Sequence, residues 1–508
     1  SGGIFYNGGD QDTPLSAGSD GQDGDVLQVI GTLTQTATYF GDADLSATLD
    51  RDGTVLIDLQ GTITFTQLEP VDMQSLAVAN VTFEGGNDII SIADGFDADT
   101  GLDASLVISG TSNKFSAEPF ESVHLRNNTT VNIDTTTVDG SDMITISSGV
   151  STHGNVNFNI LTGNFSDVVT IAGSLTVTGN IGITSQSIAF TGGTLTAGVA
   201  GTVALDAGAG SITTGAGLSV AGQSLVATAT TGIDLNSTVT NITATNSGAG
   251  NIIVDETNDA NVLNVAATSG TATVTSATGN LNVTTASAST TVFLTATAGA
   301  ITDANLGANN ITAATLVAFG ATGIDLDTTV TDLTASSTNA AITIRETSGL
   351  AVNTINAGSG TVTLTATAIT DNVVGLNVTA GLLDATAAGG IDLDTAIAQL
   401  TANSTNTSIT IREANGVAVN TVNAGSGTVT LTSATGAITD NNGVGLNVTA
   451  GLLAATAQAG INLDTTVTQL TASSTNAAIT IRETDGLAVN TVDAGSGTVT
   501  LTATAITD

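Results

Sequence analysis

Apolar and polar residues alternate along most of this chain. In Thr498-Val499-Thr500-Leu501-Thr502-Ala503-Thr504 the apolar side chains fall on one side and the threonines on the other, and Ala478-Ile479-Thr480-Ile481-Arg482 obeys the same rule. A period of two carried by β-branched residues predicts strands. Gly-Ser-Gly, Ser-Ser-Thr-Asn and Asp-Asn-Asn-Gly clusters lie between them and predict tight turns. Helical periodicity is nowhere sustained.

The strands come in copies. Gly323–Asp371 returns at Gly460–Asp508 with 44 of 49 positions identical, and a looser copy starts at Gly390. Ile324, Ile391 and Ile461 are equivalent and mark the period. It lengthens slightly between the second and third copies, because three residues are added near Ser433–Gly443. An older copy at Gly232 implies growth by a smaller unit of roughly 20–24 residues, too short to bury a face alone. The expected fold is therefore all-β, a right-handed parallel β-helix whose coils stack at about 4.8 Å. Crowding inside such a coil suits Ala, Val, Ile and Leu. At that spacing the regular part holds about 15 coils and extends about 70 Å.

Composition divides the chain into three regions. Residues 1–24 form a Gly/Asp-rich arm whose only bulky pair is Phe5-Tyr6. Residues 25–190 are strand-like but less regular, and hold nine of the twelve Phe and every Tyr, Met, His and Pro outside the arm. Residues 191–508 are the regular repeat array. The chain opens Ser-Gly-Gly-Ile without Met and stops inside a repeat at Asp508, so it reads as processed or excerpted from a longer one.

Charge narrows the partners. Six Lys+Arg against 45 Asp+Glu give a net charge of −39. Phosphate binding needs clustered cations, which excludes nucleic acid and disfavours an anionic membrane surface. No apolar run is long enough to span a membrane, and no cysteine is present for disulfides or thiolate metal sites. Low lysine with plentiful Asp, Asn, Thr and Gly suits an exposed extracellular protein in salt or divalent cations.

Four strand starts share a form: Asp25-Val26, Asp88-Ile89, Asp142-Met143 and Asp167-Val168. Gly85-Gly86-Asn87-Asp88 resembles half of a calcium-binding glycine/aspartate nonapeptide of RTX proteins, so Asp88, Asp142 and Asp167 are the candidate calcium ligands. Tandem copies would be needed for coils to share a cation, whereas long and unequal stretches of chain separate these aspartates. The simpler reading is that each Asp caps the corner before its strand. Asp325/Asp327, Asp392/Asp394 and Asp464 recur every third coil, roughly 14 Å apart along the stack, and read as solvated corner residues. Arg345-Glu346, Arg412-Glu413 and Arg482-Glu483 read as exposed arginines near unrelated acids, since adjacent strand residues point to opposite faces.

Catalytic chemistry is thin. His124 and His153 lack ligand-spaced partners, and lone histidines on a β surface are more often exposed, although Glu121 precedes His124 closely. A β-helical polysaccharide-degrading enzyme would need basic residues and aromatic platforms, whereas the repeats supply three Arg at long spacing and neither Lys, Trp nor Tyr. Near-identical tandem copies favour length over a single tuned cleft. The expectation is that the chain is not an enzyme.

Gly360–Asp371 and Gly497–Asp508, with the shorter Gly-Ala-Ile-Thr-Asp strings at Gly299–Asp303 and Gly436–Asp440, resemble coils of filamentous-haemagglutinin-type giant bacterial surface proteins. The resemblance covers roughly residues 190–508. It implies a secreted parallel β-helix at a bacterial cell surface or in an extracellular matrix, acting as a stalk, adhesin or surface-layer component. The favoured function is structural, with subunits stacked head to tail into a fibre, sheath or layer. The alternative is an adhesin shaft whose N-terminal part, up to the start of the regular array, holds surface carbohydrate or a cell-surface partner. Exposed aromatics among Phe5, Tyr6, Tyr39 and Phe40 would favour that reading.

Overall fold

A strand with one apolar and one threonine-rich face must cover the first while leaving the second in water. In the computed structural model it does so by stacking on copies of itself: successive coils pair in parallel, and the alternate apolar residues of their strands form a buried core. The structure describes residues 3–7, 26–41, 52–58, 60–66, 70–98, 101–113, 117–147, 151, 153–163, 165–215 and 217–508. Among them there is no helix, and the fold is a parallel β-solenoid of about 17 coils. Apart from strand Gly3–Asn7, the arm of residues 1–24 lies outside the described residues, as do the side chains of Phe5 and Tyr6. The chain divides into two compact units, residues 1–258 with 265–269, and residues 259–264 with 270–508.

The first unit shows what makes the early sequence irregular. One column of inward side chains runs Tyr39, Val81, Ile133, Ile160, Ile183, Leu205 and Ala227, one per coil and all in parallel register. Every member is at most 2% exposed. The irregularity comes from antiparallel additions to this stack. Strands Asp52–Ile57 and Gly61–Thr66 form a hairpin against Thr36–Gly41, and Ala104–Asn113 folds back on Ile89–Phe96. Bulky residues fill these first coils: Phe65 stacks on Tyr39, and Phe83 packs against Phe120. The change of composition near residue 190 falls inside this unit, where Ser187–Phe190 pairs in parallel with strands on both sides of it.

In the second unit the period of the sequence and the period of the coil do not match. Ile324, Ile342, Val362 and Leu383 stand in one column, each a coil after the last. The next copy of Ile324 is Ile391, a short way beyond Leu383, and it stands in the column of Leu350 and Ile369 instead. The same happens at the following copy. Ile391, Ile409, Val429 and Leu453 share a column, while Ile461 follows Val417 and Ile438 in another. One repeat is thus three coils plus part of a fourth. Equivalent residues step round the solenoid from copy to copy, which corrects their expected recurrence simply at every third coil. The three residues added near Ser433–Gly443 are absorbed between Val429 and Leu453, so the phase is kept.

The Ser-Ser-Thr-Asn and Gly-Ser-Gly clusters do form corners, and they hold one another. Asn339, Asn406 and Asn476 adopt left-handed backbone at φ of 55–57°. The Asn339 side-chain oxygen accepts the Ser359 N–H at 3.0 Å one coil later, and Asn406 and Asn476 do the same for Ser426 and Ser496. Gly358 lies beneath Asn339 with φ of 56°, and a Cβ there would come within 2.2 Å of that oxygen. Only glycine meets both demands.

Candidate functional site

Asp88, Asp142 and Asp167 come together although long stretches of chain separate them. The parallel register of Ile89, Met143 and Val168 places the preceding aspartates one above another on three successive coils. The long first interval is taken up by the Ala104–Asn113 excursion. Asp142 Oδ1 accepts the Asp88 N–H at 2.8 Å, and Asp167 Oδ1 accepts the Asp142 N–H at 2.9 Å. All three residues are fully buried. They form a ladder whose carboxyl oxygens replace the backbone acceptors missing at a corner.

A parallel ladder at another corner uses asparagine. Asn128 Oδ1 accepts the Leu76 N–H and Asn155 Oδ1 the Asn128 N–H, while their amide groups donate to the carbonyls of Met73 and Leu125. Asparagine does this without charge. The aspartate ladder carries carboxyls instead, and burial raises the pKa of Asp142 and Asp167, with further upward pressure from Asp139 and, on Asp142, from Asp167. The Asp88 and Asp142 N–H groups and the Thr135 and Thr162 hydroxyls pull the other way without reversing the shift. Among the described residues no group of three or more His, Cys, Asp or Glu is arranged to hold a metal ion.

The repeated Asp and Arg positions are not unrelated: Asp325 and Asp392 are solvated as expected, Asp327, Asp394 and Asp464 are largely covered, and all of them meet the arginines. Arg345 reaches back one coil to Asp327 through Nε and to Asp325 at 2.6 Å, and two coils to Asp303 at 4.0 Å. Asp303 Oδ1 in turn accepts the Asn310 amide at 3.0 Å, and Asn310 Oδ1 accepts the Asp327 N–H at 2.9 Å. Asn310 also donates to the Val283 carbonyl at 2.9 Å. One polar brace therefore ties four successive coils. It recurs as Asp371, Asn377, Asp392, Asp394 and Arg412, and again as Asp440, Asn447, Asp464 and Arg482. In the last copy Asn462 replaces the flanking aspartate and still accepts from Arg482. Burial acts downward on the pKa of Arg345 and Arg412, and their aspartates more than offset it. The Asn447 amide is the largest cause holding Asp440 below the usual carboxylate range; for Asp303 the Asn310 amide and backbone N–H groups outweigh burial.

The glutamate beside each arginine faces the other way. Glu346, Glu413 and Glu483 are at most 5% exposed and stack over the buried Thr328, Thr395 and Thr465. Glu413 accepts the Thr395 hydroxyl at 2.7 Å and the N–H groups of Ile397 and Asn415 at 3.0 and 2.9 Å. Glu256 plays this part in the first unit, taking the Ser237 hydroxyl at 2.6 Å. Burial raises the pKa of Glu413 and Glu256. Alternation alone signals the inward glutamate, since it follows Ile-Thr-Ile-Arg in phase with the isoleucines.

The histidines are engaged, contrary to expectation. His124 stands in register with the buried Asp72, and its Nδ1 lies 2.5 Å from the Phe96 carbonyl and its Nε2 3.0 Å from the Ser122 hydroxyl. Burial lowers its pKa, opposed by Asp72 and Asp97; Arg126 pairs with Asp97 at 3.3 Å and with Asp103. This cluster fastens the antiparallel excursion to the stack. His153 pairs with Asp94 at 2.7 Å. Tyr39 is buried, which removes it as an exposed platform, while Phe40 faces outward and is half-buried.

No protein family, curated protein or solved structure matches the chain.

Proposed function

We propose that the chain is a structural protein of a bacterial cell surface or extracellular matrix, of the kind the resemblance to filamentous-haemagglutinin-type proteins implies. The observation that carries this reading is the brace. Every repeat spends its arginine, one asparagine and most of its aspartates on tying coil to coil, so each added repeat adds length and its own fastening. A chain organised around one reaction would concentrate such residues once.

End-to-end stacking of subunits completes the proposal. Successive coils pair in parallel in one direction, so a coil of a second copy can continue the same strand pairing. Contact between unlike ends propagates into a fibre unless it closes a ring. The test is sedimentation and negative-stain imaging of the full chain across concentration. The chain should assemble into filaments as its concentration rises. A chain that stays monomeric throughout overturns the stacking and leaves the role of adhesin shaft.

A further inference from the structure

We infer that the first unit carries a binding groove for a neutral saccharide chain, on the outer face of the coils between Asn80 and Thr184. This goes beyond the structural reading and does not depend on it.

The groove encloses about 420 Å³ and is lined by two adjacent rows of outward side chains. The first row is Thr38, Asn80, Asn132, Asn159 and Gly182, one residue per coil in parallel register. Its amides are chained: Asn80 Nδ2 donates to Thr38 Oγ1 at 3.0 Å, Asn132 to Asn80 at 2.8 Å, and Asn159 to Asn132 at 2.8 Å. All donors point the same way, so each bond polarises the next and the last oxygen is the strongest acceptor of the row. That oxygen is Asn159 Oδ1. It faces Gly182, where a Cβ would lie 2.7 Å away, and glycine leaves the place above it open. The second row runs Phe40, Thr82, Asp134, Leu161 and Thr184. Leu161 is 41% exposed, so apolar surface lies beside the amides.

The chemistry selects the ligand. Amides and threonine hydroxyls in a row both donate and accept, as sugar hydroxyls do. No lining residue is cationic and Asp134 is anionic, which disfavours phosphates and uronates. A peptide strand would need a free sheet edge, whereas the groove lies on a sheet face whose backbone is already paired. Rungs repeat at about 4.8 Å, close to the length of one sugar unit, so successive hexoses would meet equivalent partners. Leu161 offers apolar surface to the ring C–H faces.

Titration calorimetry of the full chain with cellohexaose, mannohexaose and chitohexaose, and with hexagalacturonate as the anionic counterpart, tests this. At least one neutral hexasaccharide should bind, and hexagalacturonate should bind at least tenfold more weakly. In G182N the new amide extends the row over Asn159 and fills the groove. Its binding should fall at least tenfold with cooperative melting retained. If G182N loses cooperative melting, N159L removes the terminal acceptor without filling the space and should show the same loss. No binding by any neutral hexasaccharide, preference for the uronate, or unaltered affinity in the folded variant would each overturn the inference.

Discussion

Arg412 and Glu413 are chain neighbours on opposite sides of one coil wall. The arginine lies half-exposed among Asp371, Asp392 and Asp394; the glutamate is 2% exposed and holds the Thr395 hydroxyl and two backbone N–H groups. Their replacements should therefore differ sharply. Glu413→Ala orphans two buried donors and a part-buried one, and should cost about 3 kcal/mol. Arg412→Ala removes a partly solvated cluster and should cost about 1 kcal/mol or less. Urea unfolding of both variants gives the comparison, and equal losses would contradict the opposed facing.

The aspartate ladder sets a pH dependence with a definite sign. Asp142 and Asp167 have raised folded pKa values, so their protonation favours the folded chain. That contribution is fully present below the unfolded value of about 4 and is lost as pH rises through the folded values. Asp303 and Asp440 act oppositely: their contribution is present above about 4 and is lost as pH falls through their lowered values. Melting temperature should rise from neutral pH towards mild acid and fall again in strong acid. Relief of repulsion among −39 charges adds to the rise, so the ladder's share is read from D142N/D167N. The double variant keeps both Oδ1 acceptors and should flatten the acid rise.

Calcium is expected to add nothing through this ladder. Asp142 and Asp167 are fully buried, each with one oxygen committed to a backbone N–H, and calcium takes six to eight oxygens, often including water. The melting temperature should be the same in chelator and in millimolar calcium at fixed ionic strength, while added salt should raise it by screening. A calcium-specific rise lost in D142N/D167N would make the ladder a cation seat.

Coil register can be read by cross-linking, because the chain has no cysteine of its own. Thr343 and Thr363 are register partners on neighbouring parallel strands and both are outward and half-buried. At about 4.8 Å between strands their Cα atoms fall within disulfide range. T343C/T363C should oxidise readily and T343C/T365C, displaced two residues along the strand, should not. The reverse result would mean a shifted register.

Much of the fold was legible because strand formation here is local. Val362, Leu364 and their equivalents alternate with threonine, and burial follows that alternation coil after coil. Inward Glu346 was readable by the same rule. Pairings between coils were not, since a strand's partner lies a whole coil away along the chain and corner length decides which one it meets. Ile324 and Ile391 are the same position in the sequence repeat and stand in different columns, because the repeat is not a whole number of coils. Asp88, Asp142 and Asp167 looked too far apart to meet, and the Ala104–Asn113 excursion brings them onto successive coils. Residue type and alternation determined which side of the wall each side chain takes. Three-dimensional stacking alone decided its neighbours above and below, and thereby turned scattered aspartates, asparagines and arginines into ladders and braces.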